Sequence, residues 1–547
     1  MTEVKTSPAS ASTGSAESVW GPPALRKVVS FPVLLGILLV AGAFFSTCWE
    51  GGPLGSKIFL EGDTWWHLET GRRVLITHHW PTTEPYSFTA TGSEWIAYEW
   101  LGEVVMALAE RFGDLRGLAA LLIALAVTIE LLLYYLAFLR SGNSKAAAVA
   151  CALTLPTLGA FVSLRPQMLG YIFLAITLIC LELFRQGREK AVWVLPVLFG
   201  VWVNTHGTFV LGLGILGLYW AGGLMNFRRA GVAAIPWTPE QRRKLLVVIL
   251  LCVAVLSLNP YGSRAAAFPL DHAFNRPLSL HADSEWYSIA SFGVLPVKLF
   301  LLLALLFLLA YAVLSPAVYR IEEIVLLFLA IYQGSFQVRF LLFFSVVFTP
   351  LLAVMLARWV PPYQPQKDKY ALNVVIMAAV LGGLALHFPS DRDLRSMLQR
   401  KVPQGAVGFL HQHPDIGPVF NESVWGGYLI WSGRRVFMDG RLDAYEPSGA
   451  LLDYLSITSL DRNTLFLLQK YGVKACLLKR DSPLGTFFRV LPDWREAYSD
   501  TLSTVFVRTT GAAKYPLATN PGPGARTVVN HEPPPRQTAG IWSDIGF

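Results

Sequence analysis

The stretch Glu61-Gly62-Asp63-Thr64-Trp65-Trp66-His67-Leu68, followed by Gly71, Arg72 and Arg73, brings acids, an imidazole and two indoles together. Further on comes Tyr98-Glu99-Trp100-Leu101-Gly102-Glu103. A carboxylate such as Asp63 takes the proton of an attacking hydroxyl, and Glu99 offers a second one. Such a reaction also needs cations or donors that hold a departing anion. The candidates are Arg165 in Arg165-Pro166-Gln167, Asn204 and His206 in Asn204-Thr205-His206-Gly207, and Arg339 in Gln337-Val338-Arg339, each at a turn between apolar runs. Asp439 and Arg441, in Phe437-Met438-Asp439-Gly440-Arg441-Leu442-Asp443, are a further pair able to grip a ligand, and Trp66 and His67 join them as substrate-binding candidates. Each has a plainer reading. Trp65 and Trp66 fit membrane-interface anchors, Arg165 and Arg339 fit helix-end residues reaching for headgroups, and Asp439–Arg441 fits an internally paired turn. Glu99 and Glu103 fit a solvated helix face, and His206 fits a hydrogen-bonded structural histidine.

The elements that must carry these residues are apolar. Of 547 residues, 53% are hydrophobic and 15% charged, with mean hydropathy +0.46, which excludes a disordered chain, a collagen and a disulfide scaffold and leaves no place for an ordinary soluble enzyme. Cys48, Cys151, Cys180, Cys252 and Cys476 read as small buried hydrophobes rather than a disulfide framework. A spanning helix needs about 20 apolar residues. About eleven runs qualify: 31–48, 117–139, 146–164, 167–184, 191–204, 207–226, 245–258, 297–315, 321–335, 340–357 and 371–388. With the N-terminus inside, the cytoplasmic pieces hold 17 Lys/Arg in 77 residues, against 9 in about 115 on the other side. The net charge of +8 is thus assigned to cytoplasmic loops at anionic lipid, not to nucleic acid.

The expected organisation is a disordered cytoplasmic tail (1–24), a transmembrane domain (25–388) with long outside loops at 49–116 and 259–296, an extracytoplasmic α/β domain (389–510) and a disordered tail (511–547). Leu101, Val104, Val105, Leu108 and Phe112 form an apolar stripe, so 98–112 reads as a helix lying in the interface, with Glu99 and Glu103 on its polar side. In the outer domain Pro418-Val419-Phe420, Val436-Phe437-Met438 and Ala475-Cys476-Leu477-Leu478 read as strands, with helices near 446–456 and 463–471 and a closing hairpin at 497–508.

Asp63-Thr64-Trp65-Trp66-His67-Leu68 resembles the Asp-Pro-aromatic-aromatic pattern in the first loop of oligosaccharyltransferase catalytic subunits, within the polytopic GT-C glycosyltransferases. The likeness in architecture covers about residues 31–510. It implies a membrane glycosyltransferase that uses a polyprenyl-phosphate-linked sugar donor, with Asp63 catalytic or metal-binding and a divalent cation as the cofactor it allows. Thr64 stands in place of the proline, and no Trp-Trp-Asp occurs near the C-terminus, so recognition of a protein glycosylation sequon is not implied. The acceptor stays open among lipid, glycan and other molecules. Two alternatives remain: a secondary transporter or lipid flippase, which would show repeated halves and midplane charges, and a non-catalytic scaffold, which would scatter Asp63, Glu99 and His206.

Three strings fail on context. Gly212-Leu213-Gly214-Ile215-Leu216-Gly217 lies in an apolar span rather than after a strand, and reads as helix packing. His78-His79 and His411 with His413 lack partners at zinc spacing. A lone sequon at Asn421-Glu422-Ser423 has little weight.

Overall fold

The computed structural model describes residues 23–48, 57–59, 61–229, 231–275, 277–282 and 319–509. Most of the expected first tail (1–24), the whole of the expected last tail (511–547), the end of the expected loop at 259–296 and the run at 297–315 lie outside the described residues. Ala24–Cys48, Trp100–Ser141, Ser144–Phe161, Gln167–Arg185 and Val338–Leu356 are long and apolar enough to cross a membrane. Tyr370–Leu386 meets Asp391–Gln399 at 57° and adds a sixth if the bent pair is one span. The chain is a helical, multi-pass membrane protein.

Apolar run length led to an expectation of eleven spans, and several of those runs form shorter helices. Pro239–Ala254 and Ile321–Phe336 have 16 residues each, and Phe209–Gly222 has 14. At 1.5 Å per residue they rise roughly 21 to 24 Å, less than the roughly 30 Å of a hydrocarbon core. The run at 191–204 is divided between a 3₁₀ segment, Glu189–Val194, and the helix Leu195–Trp202.

Trp100–Ser141 breaks at Asp114, whose φ of 51° and ψ of −136° lie outside helical space. The leg at 100–113 is the helix expected at 98–112, but its faces are used the other way round. Glu103 and Glu110 are buried with Gly102, Met106 and Ala107, whereas Phe112 is 82% exposed. The solvated reading of Glu99 and Glu103 is therefore overturned: both are buried. In a protein bathed in lipid, apolar side chains face outward at little cost, and polar ones gain by turning into the fold.

The bundle has two chemically different ends. Residues at the start of Gln167–Arg185 and the end of Ile321–Phe336 line a cavity, while the opposite ends of these helices meet in an ion-pair cluster. There Arg320 reaches Glu182 at 2.6 Å, Arg140 pairs with Glu323 and stands 3.6 Å from Glu182, and Arg185 reaches Glu322 at 2.8 Å.

Beyond the membrane helices, Val419–Asn421, Ala475–Lys479, Ser503–Arg508 and Trp494–Ser499 form a sheet in that spatial order, the first pair parallel and the others antiparallel. Helices Ser423–Trp431, Ala450–Thr458, Thr464–Lys470 and Pro483–Arg489 accompany it. The strand expected at 436–438 does not join this sheet. Val436 instead makes a lone bridge to Ser87, and the Asn421 side chain bonds the Phe437 N–H at 2.9 Å and the Met438 carbonyl at 2.8 Å. Asn421 is fully buried by this work, which removes it as a glycosylation acceptor.

Candidate functional site

Asp63 opens the helix Asp63–Thr77, and the Ser423–Trp431 helix packs directly across that N-terminus. The approach is close enough that a Cβ on Gly427 would overlap the Gly62 carbonyl oxygen, which is why the Trp425-Gly426-Gly427-Tyr428 string carries glycine there. Trp65 fills the joint, with its ring 5.3 Å from Tyr428 and 5.1 Å from Trp431. It is 1% exposed, so the interface-anchor reading fails for it.

A cavity of about 650 Å³ opens between this joint and the bundle. Of the residues singled out from sequence, Asp63, Trp66, His67, Glu99, Arg165, His206, Arg339 and Arg441 line it. Segments from positions 63 to 441 thus converge on one space. Asn204 and Asp439 are not among the lining residues. Asn204 accepts from the Trp100 indole at 2.8 Å and donates to the carbonyls of Gly200 and Leu258, bracing three segments. Asp439 is wholly buried behind Arg441, accepting from its guanidinium at 2.6 Å and from the Tyr445 hydroxyl at 2.5 Å.

The Asp63 carboxylate meets the Arg165 guanidinium at 2.7 Å and accepts from the Trp66 indole N–H at 3.1 Å. Arg165 also holds Glu61 at 2.8 Å. Gly440 lies so close to Asp63 Oδ1 that a Cβ there would overlap it. Arg441 is buried, paired with Asp439 at 2.6 Å and Glu84 at 2.7 Å, and its guanidinium lies 4.7 Å from the Trp95 ring centroid and 4.9 Å from that of Tyr86. The paired-turn reading of Asp439–Arg441 is thus correct as geometry, yet Arg441 still faces the cavity.

Beside Asp63 runs a chain of acids and imidazoles. His67 Nδ1 is 3.0 Å from Glu103 Oε1, and its Nε2 is 3.8 Å from Glu99 Oε2. The other Glu99 oxygen stands 3.3 Å from His206 Nε2. The Thr208 backbone N–H donates to His206 Nδ1 at 3.1 Å, so the neutral ring carries its proton on Nε2, facing Glu99. Burial pushes the Glu99 carboxyl up to about 8, against the opposite pull of the Tyr98 hydroxyl, Arg339 and Arg165. Burial, then Arg339 and Arg165, push His206 down to about 3. Burial and Arg165 hold His67 well below the usual imidazole range. Both rings are neutral near pH 7.

The resemblance implied that Asp63 acts on substrate or binds a metal. Among the described residues, those that bring ligand atoms within 4.8 Å of one another are His67, Glu99 and Glu103, a set that leaves Asp63 out. Glu103 and Glu84 were not singled out as site residues from sequence. Glu103 was assigned to a wet helix face. Glu84 lies in a loop without periodicity, where it accepts from the backbone N–H groups of Tyr86 and Ser87 as well as from Arg441. Asp443, inside a string that was quoted, also lines the cavity. Of the glycine run at 212–217, Gly212 packs on Trp202 and Phe199 and Gly214 lines the cavity.

No family model matches the chain, and no curated protein matches it. Among solved structures, the oligosaccharyltransferase of Archaeoglobus fulgidus tethered to an acceptor peptide containing the NVT sequon is similar at a TM-score of 0.49 and 13% identity, over 87% of this chain and 74% of that one. ArnT from Cupriavidus metallidurans, bound to undecaprenyl phosphate, is similar at 0.49 and 13%, over 88% of this chain and 98% of that one. A likeness at that level assigns no residue and no substrate.

Proposed function

We propose that the protein is a membrane glycosyltransferase that moves a sugar from a polyprenyl-phosphate-linked donor to an extracytoplasmic acceptor, with inversion. The observation that carries this reading is the shared cavity, where Asp63, Glu99 and Glu103 face Arg165, Arg339 and Arg441 at the junction of membrane helices and outer unit. Asp63 takes the proton of the acceptor hydroxyl as its oxygen bonds to the anomeric carbon. The bond from that carbon to the phosphate oxygen breaks, and its electron pair leaves with the phosphate. Arg165 orients the Asp63 carboxylate, and Arg339 and Arg441 counter the charge that builds on the departing phosphate. Trp66 and His67 wall the sugar side of the cavity, with their rings 3.6 Å apart.

The Lys/Arg bias of the loops supports a cytoplasmic N-terminus and an outer unit beyond the cell membrane. The scaffold reading required Asp63, Glu99 and His206 to lie apart, and they line one cavity. The transporter reading required a way through, and the far end of the helices is tied by Arg140, Glu182, Arg320 and Glu323.

The test is Asp63→Asn in protein that elutes as a single folded species, assayed for sugar transfer from a polyprenyl-phosphate donor. A base of this kind contributes roughly 10² to 10⁴ in rate, and a loss of that size is expected. Unchanged turnover removes Asp63 from the mechanism, and counterflow of substrate in proteoliposomes without transfer would return the transporter.

A further inference from the structure

Glu99 and Glu103 differ from the other acids at this site in what faces them. Arg165 is shared by Asp63 and Glu61, and Arg441 by Asp439 and Glu84, so each of these arginines already meets two carboxylates. Glu99 and Glu103 meet imidazoles at ion-pair range: His67 stands beside both, and His206 beside Glu99. The second oxygen of Glu103 is buried and has no hydrogen-bond partner among the described residues, and the residue is 1% exposed. An orphaned carboxylate oxygen beside a neutral ring in a low-dielectric wall is costly unless something absent from the chain itself completes it.

We propose that His67, Glu99 and Glu103 form a binding site for one divalent transition cation, and that Asp63 is not one of its ligands. Two carboxylates and one imidazole are a donor set suited to Zn²⁺ or Mn²⁺, whereas a site built for Mg²⁺ or Ca²⁺ alone would use oxygen throughout. The ligand atoms of the three residues lie within 4.8 Å of one another. Donors on one tetrahedral zinc stand roughly 3.4 Å apart, so the side chains need close by only about an ångström. A dication also balances the charge of the two acids. Asp63 has other commitments: Arg165 takes one oxygen and the Trp66 indole the other. The site therefore divides its acids, with Asp63 facing the arginine and the Glu99–Glu103 pair facing the cation.

This deepens the glycosyltransferase reading, but its test does not depend on transfer. Full-length protein in detergent is stripped with a chelator and dialysed separately against Zn²⁺ and Mn²⁺, and metal per chain is measured by mass spectrometry. The wild type and Asp63→Asn are expected to hold one equivalent, while Glu103→Gln and Glu99→Gln lose affinity at least tenfold. Pulsed electron paramagnetic resonance of the Mn²⁺-loaded wild type should show nitrogen coupling from an imidazole, an arm that stands even where a glutamine variant does not fold. Substoichiometric uptake by the wild type, absence of nitrogen coupling, or loss of metal in Asp63→Asn with retention in Glu103→Gln overturns the site. Wild type that takes up no cation and still transfers sugar would sink the cation site and leave the role of Asp63 standing. A loaded protein that transfers nothing would do the reverse.

Discussion

At the scale of single residues, the site depends on close fits that can be disturbed one at a time. Gly440→Ala places a methyl group where Asp63 Oδ1 now stands, so the carboxylate must move while the fold has no other reason to change. Displacement of a reacting group by about 1 Å costs on the order of 100-fold in rate. A fall in transfer of that order, with an unchanged melting temperature, is expected; full activity would show that the Asp63 position is not critical. His206 gives a pH signature. Its ring is held down to about 3, while an unfolded chain's histidine titrates near 6.5, so between these values the unfolded state binds the extra proton. Stability therefore rises with pH through that window and is lost on acidification. Glu99, Arg339, Arg165 and Thr208 face the ring. His206→Gln can still accept from the Thr208 N–H and donate to Glu99, and it should flatten the acid limb of a melting-temperature profile read by tryptophan fluorescence. An unchanged limb would assign the titration elsewhere. Asp63, Glu99 and the arginines of the cavity were legible because charged residues beside apolar runs are rare, whereas Glu103 was hidden by a helix pattern that reads as a wet face. Asn204 and Asp439 were of the right kind but serve as braces, and no local pattern separates a brace from a ligand contact.

The elements were legible where period and environment agree. The leg at 100–113 was visible as an amphipathic helix, but its orientation was not, because the choice of inward face depends on whether lipid or water lies outside. The strand expected at 436–438 failed for a different reason. Its apolar side chains are buried as a strand's would be, yet its backbone partners are the Tyr86–Phe88 segment and the Asn421 side chain, contacts far away in sequence. Trp65 shows what joins the two halves of the molecule. It is packed between Phe59, Tyr428 and Trp431, and the neighbouring Arg72 lies 5.3 Å from the Trp431 ring and pairs with Glu110. Removing a buried indole costs about 3 to 5 kcal/mol. Trp65→Ala is expected to lower the melting temperature and to make the joint at 61–62 newly susceptible to limited proteolysis. Retained resistance there would mean that the sheet-bearing unit is held by other contacts.

Across the whole molecule, charge is sorted to the two ends of the same helices, and the ends do different things. The cavity end leaves charged groups facing space, whereas the far end joins Arg140, Arg320, Glu182 and Glu323 into one cluster. The arginines of the far end were read from sequence as loop charge at anionic lipid, since their acidic partners sit on other helices, and only packing brings Glu182 within reach of Arg320. Removing one member of a buried pair strands the other and costs about 3 to 5 kcal/mol. Glu182→Gln should therefore lower the melting temperature substantially. Measured well below that temperature, sugar transfer should remain within a few-fold of wild type, because the substitution lies at the opposite end of the Gln167–Arg185 helix from Gln167, which lines the cavity. A transporter predicts something else: opening the cluster would release a gate, and Glu182→Gln would raise substrate leak across proteoliposomes. Lower stability with intact transfer and no leak is the pattern expected of a tie, while increased leak would make the same residues a gate and displace the glycosyltransferase reading.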